Sequence, residues 1–252
     1  MTTTNYLEKE NVRMNVKFSM KRLLMSMTAI MMAMVTFTAC EILNPKDDDE
    51  NDDNGGVAGK RLKSTIITED GGEIQSGQYT YNSDGTLKRI DWNSGAYDIY
   101  TSNPDGTYQK WENFNTNGDM VLVYSYDNNK KPLKAEGTIK NSAGTFPITY
   151  DFTYQNGRLI SHVHKMSDPS DPSYRIEITF EPKYDSNGRR TTTTETHSLV
   201  GVRQFTRTYN SDGTLQKVTT NGYTGYPTTG FTQTFTWENG KSTVNFEDHA
   251  CY

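Results

Sequence analysis

The sequence predicts an all-β protein, an antiparallel meander of about 14 to 15 short strands that is closed into a soluble barrel or strongly curled. Three observations lead there. The words Asn82-Ser83-Asp84-Gly85-Thr86-Leu87-Lys88-Arg89-Ile90 recur as Asn103-Pro104-Asp105-Gly106-Thr107-Tyr108-Gln109-Lys110-Trp111 and as Asn210-Ser211-Asp212-Gly213-Thr214-Leu215-Gln216-Lys217-Val218. In each copy Asp-Gly supplies residues that tolerate positive φ between Tyr/Thr-rich runs, so each copy is a hairpin turn. Thr, Tyr, Asn and Gly dominate the chain beyond residue 45, where Leu and Ala are sparse, which favours strands and turns over helices. Finally, Met120, Leu122, Tyr124 and Tyr126 share one parity, and Tyr150, Phe152 and Tyr154 lie opposite Thr149, Asp151 and Thr153. That alternation belongs to a sheet wet on one side.

Composition sets limits on function. Only 33% of the 252 residues are hydrophobic and the mean hydropathy is -0.80, yet 12% are aromatic, too many for a disordered chain. The formal net charge is -5, and Asp47, Asp48, Asp49, Glu50, Asp52 and Asp53 alone supply six negative charges. With no basic tract above the background, nucleic acid is not an expected partner. The two cysteines, Cys40 and Cys251, build no intrachain disulfide framework once Cys40 has another use.

The N-terminal region reads as an export signal over residues 1–39, with Met14 as an alternative start. Lys17, Lys21 and Arg22 precede an apolar stretch from Leu23 to Phe37, too short for a spanning helix, and small residues Thr38 and Ala39 precede Cys40. Phe37-Thr38-Ala39-Cys40 resembles the bacterial lipoprotein box, which implies that Cys40 is lipidated. Residues 40–59 then form an acidic tether with nothing to build a core. Within it Lys46-Asp47-Asp48-Asp49-Glu50 looks like the acidic export tag of surface lipoproteins in Bacteroides-type bacteria, which implies exposure at the cell surface; the alternative is a position facing the periplasm. Residues 60–252 form the repetitive β domain.

In that domain the pattern predicts strands over Arg61–Thr68, Glu73–Tyr81, Thr86–Trp92, Ala96–Ser102, Thr107–Asn113, Asp119–Tyr126, Leu133–Ile139 and Phe146–Tyr154. It continues with Arg158–Lys165, Tyr174–Tyr184, Arg190–His197, Val202–Tyr209, the strand after the third repeat, one through Phe231–Trp237, and Lys241–Glu247. Asn129 stands in for a turn glycine in Asp127-Asn128-Asn129-Lys130. Met166–Ser173, with two prolines, and Asn221–Gly230 are expected as longer loops. After each repeated turn an apolar pair lies three apart, as in Leu87/Ile90, Tyr108/Trp111 and Leu215/Val218. Strict alternation would space such a pair by two or four, so a bulge or sharp twist is expected there.

Tyr79-Thr80-Tyr81-Asn82-Ser83-Asp84-Gly85-Thr86-Leu87 and Arg207-Thr208-Tyr209-Asn210-Ser211-Asp212-Gly213-Thr214-Leu215 resemble the tyrosine-aspartate (YD) repeats of Rhs-type proteins. The signal-bearing cysteine, acidic tether and hairpin domain together resemble an uncharacterised family of Bacteroides-type lipoproteins with a porin-like fold. That resemblance implies a porin-like barrel and a lipid-anchored place at the outer membrane, exposed at the cell surface. It supplies no catalytic residue.

His162 and His164 lie two apart on one strand, near Asp168 and Asp171, and could ligate zinc with a carboxylate. The alternative is a pair of solvent-facing histidines, and no metal or cofactor is expected. The prominent Asp residues 84, 105, 185 and 212 make turns, Ser170, Ser186 and Ser198 lack a nucleophile elbow, and no phosphate loop is present, so no enzyme is expected. Trp92, Trp111, Tyr97, Tyr100 and Tyr108, with loop residues Tyr223 and Tyr226, are either stacking platforms or core, and the two loop tyrosines are expected to be exposed because loops lie on the surface. Asp168, Asp171, Tyr174, Tyr223 and Tyr226 mark the candidate binding loops. The expected function is a binding module for glycan or surface protein, attached to the membrane through the lipid. The alternative is a structural, envelope-associated lipoprotein with no small-molecule ligand.

Overall fold

The computed structural model describes residues 59–225 and 228–242. Fourteen strands follow one another: β1 (Lys60–Glu69), β2 (Gly72–Tyr81), β3 (Leu87–Trp92), β4 (Tyr97–Ser102), β5 (Tyr108–Asn115), β6 (Gly118–Tyr126), β7 (Pro132–Asn141), β8 (Gly144–Gln155), β9 (Arg158–Asp168), β10 (Asp171–Tyr184), β11 (Arg190–His197), β12 (Gly201–Tyr209), β13 (Leu215–Thr220) and β14 (Phe231–Asn239). Each pairs antiparallel with its sequence neighbours, and β14 pairs with β1 from Lys60↔Asn239 to Thr68↔Thr232, closing the barrel. Closure satisfies the edge N–H and C=O groups that an open sheet would leave exposed. The strand that meets β1 is therefore β14, not one from Lys241; Lys241 and Ser242 lie beyond β14, and residues 243–247 fall outside the described residues.

The repeated turns have one construction. In Asn82–Thr86 the backbone N–H of Asn82 donates to the Thr86 carbonyl (2.9 Å) and that of Gly85 to the Asn82 carbonyl (3.1 Å). The Asp84 carboxylate accepts both the backbone N–H (2.9 Å) and the hydroxyl (2.7 Å) of Thr86. Asp105 with Thr107 and Asp212 with Thr214 repeat the pattern. These bonds hold all three carboxyls below the usual carboxylate range, the side-chain bond from threonine being the largest cause. Asp127 and Asp185 reach the same shape from the first turn position, each accepting two backbone N–H groups. In the Asp127 turn the positive-φ place is held by Lys130 (φ 61°), not by Asn129, because Lys130 aligns with Gly85 and Gly213.

Bulges follow the turns. The register skips Lys88 between β2 and β3, Gln109 between β4 and β5, and Gln216 between β12 and β13. The skip lets both members of each apolar pair three apart point inward: Leu87 and Ile90, Tyr108 and Trp111, and Leu215 and Val218 are all buried. Leu133 and Ile160 are skipped in the same way and emerge on the outside.

A further bond joins successive turn units. The hydroxyls of Tyr81, Tyr126, Tyr184 and Tyr209, near the ends of β2, β6, β10 and β12, donate to the carbonyls of Leu62, Tyr108, Leu159 and Arg190 at the starts of the preceding strands. Trp237 in β14 does the same with its indole N–H to Leu215 (2.8 Å). Arg61, Arg158 and Arg189, each one residue before its acceptor, lie over the rings of Tyr81, Tyr184 and Tyr209.

The interior is filled. Trp111, Tyr108, Tyr150, Phe180 and Phe205 are among its fully buried side chains, and all fourteen strands contribute buried residues. In the β3–β5 sector an ionisable group sits among the aromatics: Asp98 accepts the indole N–H groups of Trp92 (2.7 Å) and Trp111 (2.9 Å) and the Asn113 amide (2.9 Å). Burial pushes its carboxyl up to about 6 although these donors favour the ionised form. The outer wall carries threonines and ion pairs such as Arg89–Asp91, Lys110–Glu112, Lys134–Glu136 and Lys165–Asp151. Such a wall is the reverse of the apolar band of a membrane-spanning barrel.

The turn geometry gives an opposed pair of expectations. Gly213→Ala forces a side chain into φ 86° and should lower stability by about 1–2 kcal/mol, whereas Lys130→Gly relieves φ 61° and should raise it by up to about 1 kcal/mol. Chemical denaturation of the two variants checks both signs.

Candidate functional site

Two places on the barrel gather polar and aromatic groups. The first is its end opposite the Asp-Gly turns, where the connection Asn221–Gly230 lies. Because β13 stops at Thr220, the outer end of β12 lacks a strand partner there. The loop supplies it: Thr224 N–H donates to the Val202 carbonyl (2.9 Å), and Thr224 Oγ1 accepts from Val202 N–H (3.2 Å). Gly222 permits the fold, since a Cβ there would lie 1.7 Å from the Thr228 carbonyl oxygen.

The loop sends Tyr223 inward. Its hydroxyl donates to Oε1 of Glu195, whose Oε2 receives Nε (2.9 Å) and Nη2 (2.8 Å) of Arg203. Glu195 is 1% and Arg203 7% exposed, so this is a buried ion pair. The Arg203 guanidinium also lies 4.4 Å from the Tyr223 ring centroid, 4.8 Å from Phe205 and 5.9 Å from Phe231. Burial, followed by the Glu195 charge, pushes the Tyr223 phenol up. His197 stands edge-on to Tyr223, and its Nδ1 accepts the Leu199 N–H (3.0 Å). Burial first, then Arg203, lowers its imidazole to about 4. Tyr223 is half-buried against Glu195 and Arg203, so the expectation that loop exposure would bare it is corrected. Tyr226 lies outside the described residues.

The other predicted loop is a tight hairpin. β9 runs to Asp168 and β10 starts at Asp171, with Pro169-Ser170 as the connection and residues 172–174 in a bulge before Arg175. Proline is tolerated at a turn and in a bulge, where its missing N–H costs no ladder bond. Asp168 accepts the N–H and hydroxyl of Ser170 (2.8 and 2.6 Å), and Asp171 those of Ser173 (3.1 and 2.5 Å). Both carboxylates therefore build turns. Tyr174 is half-buried against the core, and burial raises its phenol.

His162 and His164 do share a face, but it is the interior. His162 stacks on Phe180 (4.3 Å) and His164 on Tyr150 (3.5 Å), so the solvent-facing alternative is corrected; the inward parity of Tyr150 and Phe152 on the adjoining strand signals this. Burial holds His164 well below the usual imidazole range. Among the described residues no group of three or more His, Cys, Asp or Glu side chains is placed to hold a metal ion. Sequence reasoning passed over Glu195 and Arg203. The signal was the alternation Arg203-x-Phe205-x-Arg207, which puts both arginines on the same face as a core phenylalanine.

The second place is on the outer wall. Of the aromatic residues proposed as platforms, Trp92, Trp111, Tyr100 and Tyr108 are core, whereas Tyr97 points outward. Tyr97 pairs with Phe114 of β5 and stacks on it at 4.9 Å, with the Arg89 guanidinium 4.0 Å above the Tyr97 ring. Arg89, Tyr97 and Phe114 thus form a row of flat groups across β3, β4 and β5, with Asp91 bonded to Arg89 Nε (2.6 Å). Sequence parity held this signal, since Tyr97 alternates with the inward Asp98 and Tyr100.

The sequence matches no known family and no curated protein. Among solved structures the fold is similar to a porin-like protein from Bacteroides uniformis, at 13% identity and a TM-score of 0.43, covering 70% of this chain and 96% of that one. Structures of TcdB2-TccC3 are similar at 14% identity and a TM-score of 0.30, where the match covers 62% of this chain and 11% of the much longer partner. The form without the hypervariable C-terminal region gives 14% and 0.30 over 61% and 11%. These likenesses concern the kind of fold alone. The architecture itself defines the class: a closed, fourteen-stranded antiparallel meander barrel with a filled interior.

Two outcomes follow. Tyr223→Phe removes one donor from buried Glu195 and should cost about 1–2 kcal/mol, while Arg203→Met leaves that carboxylate buried and unpaired and should cost about 3–5 kcal/mol in denaturant melts. His197 has a folded pKa below the unfolded one, so its contribution is complete above about pH 6.5 and is lost as pH falls towards about 4. Its imidazole NMR shifts should stay those of the neutral ring down to that pH.

Proposed function

We propose that the protein is an exported lipoprotein, anchored at the outer membrane through Cys40, whose barrel is a glycan-binding module. The observation that carries the reading is the outward row Arg89–Tyr97–Phe114. A sugar ring presents an apolar C–H face and a hydroxyl rim, which suit an aromatic side chain flanked by a guanidinium and the carboxylates of Asp91 and Glu112. Most other large aromatics are spent on the core, so a stacked aromatic pair on a wall of threonines and ion pairs stands apart from its surroundings.

The anchoring rests on the sequence: a basic and apolar leader, then Thr38-Ala39-Cys40, then the acidic tether with its export-tag-like Lys46-Asp47-Asp48-Asp49-Glu50. A second reading, a structural envelope protein without a small-molecule ligand, is favoured by the filled interior, which leaves no lumen for a ligand at the level of Trp111, Tyr150 and Phe205.

Screening the protein against an array of bacterial and host polysaccharides tests the binding reading. Tyr97→Ala and Phe114→Ala should each weaken the strongest binding by about tenfold with the melting temperature little changed. Equal binding by wild type and both variants, or no binding to any glycan, leaves the structural reading in place. Radiolabelled palmitate should enter the wild type and not Cys40→Ser.

A further inference from the structure

The described barrel is nearly neutral as a whole yet strongly polarised along its axis. Taking each turn with three strand residues on either side, with the β14–β1 seam as one of the turns and the side chains buried in the interior left out, the Asp-Gly end holds thirteen Lys and Arg against six Asp and Glu. The opposite end holds one against seven. The distribution follows from the repeat: the bulged or neighbouring residue after a turn is often basic, as at Lys88, Lys134, Arg158 and Lys217, while acids such as Glu69, Asp70, Glu73 and Asp119 gather at the short turns of the other end. Five of the six acids at the basic end are turn aspartates, and those at 84, 105 and 212 are already engaged by their own threonines.

The basic end is also where the chain joins the rest of the molecule. β1 begins there at Lys60, β14 ends there at Asn239, and Gly240 N–H donates to the Gly59 carbonyl (3.0 Å) across the seam. The chain before Lys60 contains the apolar stretch Leu23–Phe37 and Cys40, twenty residues upstream of Lys60. On the anchored reading, acyl chains on Cys40 tie a bilayer to the basic end and hold it at high effective concentration.

We propose that the Asp-Gly end is a membrane-facing surface that sits on anionic lipid headgroups, so that the barrel stands upright and turns its acidic end, with Tyr223 and the Asp168–Asp171 hairpin, away from the bilayer. The inference takes its setting from the membrane-anchored reading, but the surface itself requires no lipid on Cys40. Basic residues within a Debye length of an anionic leaflet, about 10 Å or less, are attracted to it, and acidic ones are repelled. The acids Asp47 to Asp53 come seven to thirteen residues before Lys60 in the sequence, which makes them the rival occupant that the test separates from lipid.

Residues 41–252 keep every paired strand of the closed barrel and lack both the apolar stretch and Cys40, so they isolate the rim. Sedimentation with phosphatidylcholine vesicles, with and without phosphatidylglycerol, should show binding only to the anionic vesicles, weakening as salt is raised. Lys63→Glu/Lys88→Glu/Lys183→Glu changes three exposed positions at this end and should lower that binding roughly a hundredfold. Lys140→Glu at the opposite end should leave it unchanged, and circular dichroism should be the same for all. Three results overturn the proposal: equal partition onto both vesicles, loss of binding with Lys140→Glu as large as with the rim variant, or binding that emerges only after Asp47–Asp53 are changed to Asn, which would assign the rim to the chain's own acidic tract. None of these touches palmitate labelling of Cys40, so the anchoring stands or falls separately.

Discussion

The barrel depends on one local constraint, the carboxylate-locked turn and the bulge behind it. The aspartate binds the N–H and hydroxyl of the threonine two residues on, which fixes how the next strand starts. The skipped residue then adds right-handed twist. Fourteen strands of ordinary flat pairing would leave two unpaired edges; with twist added at the turns of one end, the last strand returns to the first. The bonds from Tyr81, Tyr126, Tyr184, Tyr209 and Trp237 to strand-start carbonyls extend this from one hairpin to the next at five of the junctions.

The interior shows what such a ring must be filled with. Aromatic side chains are its largest members, but the β9–β12 sector carries His162, His164, Glu195, His197, Arg203 and Arg207. Their chemistry is mutual: Glu195 neutralises Arg203, Tyr223 and the phenylalanines cover the guanidinium, and burial keeps His164 and His197 neutral. A buried pair of this kind contributes little net stability compared with apolar packing, but it penalises any arrangement that separates its members. The loop is thereby held to one position at Tyr223. Asp98 among its indoles has the opposite pH behaviour, since its raised pKa makes ionisation unfavourable as pH rises through about 6.

Much of the fold was legible because turn chemistry is local. The Asp-Gly words, the alternating parities and the apolar pairs three apart led to the strands and the bulges. What was missed depended on distant partners. The two prolines of Asp168-Pro169-Ser170-Asp171-Pro172 suggested a long loop, since nothing local says that a turn and a bulge can accommodate both. Tyr223 looked exposed because its buried partner, Glu195, is 28 residues away in sequence. The direction of the β9 histidines and the choice of β14 as the closing strand depend on how the whole sheet curls. On the outer wall the candidate site was half legible: Tyr97 was singled out, while Phe114 and Arg89 join it only through the registers of β3, β4 and β5.

The seam between β14 and β1 is bonded like every other junction, from Lys60↔Asn239 to Thr68↔Thr232, and its two sides meet at the Gly240–Gly59 hydrogen bond. The ring therefore has no privileged origin. A circular permutant that joins residue 240 to residue 59 and opens instead at one of the Asp-Gly turns would keep every strand pair, and a gene enlarged or shortened by whole hairpins would preserve the same junction while changing only the girth. The order in which the strands are written along the chain is thus an accident of where the ring was cut, and the fold is a property of the repeated junction.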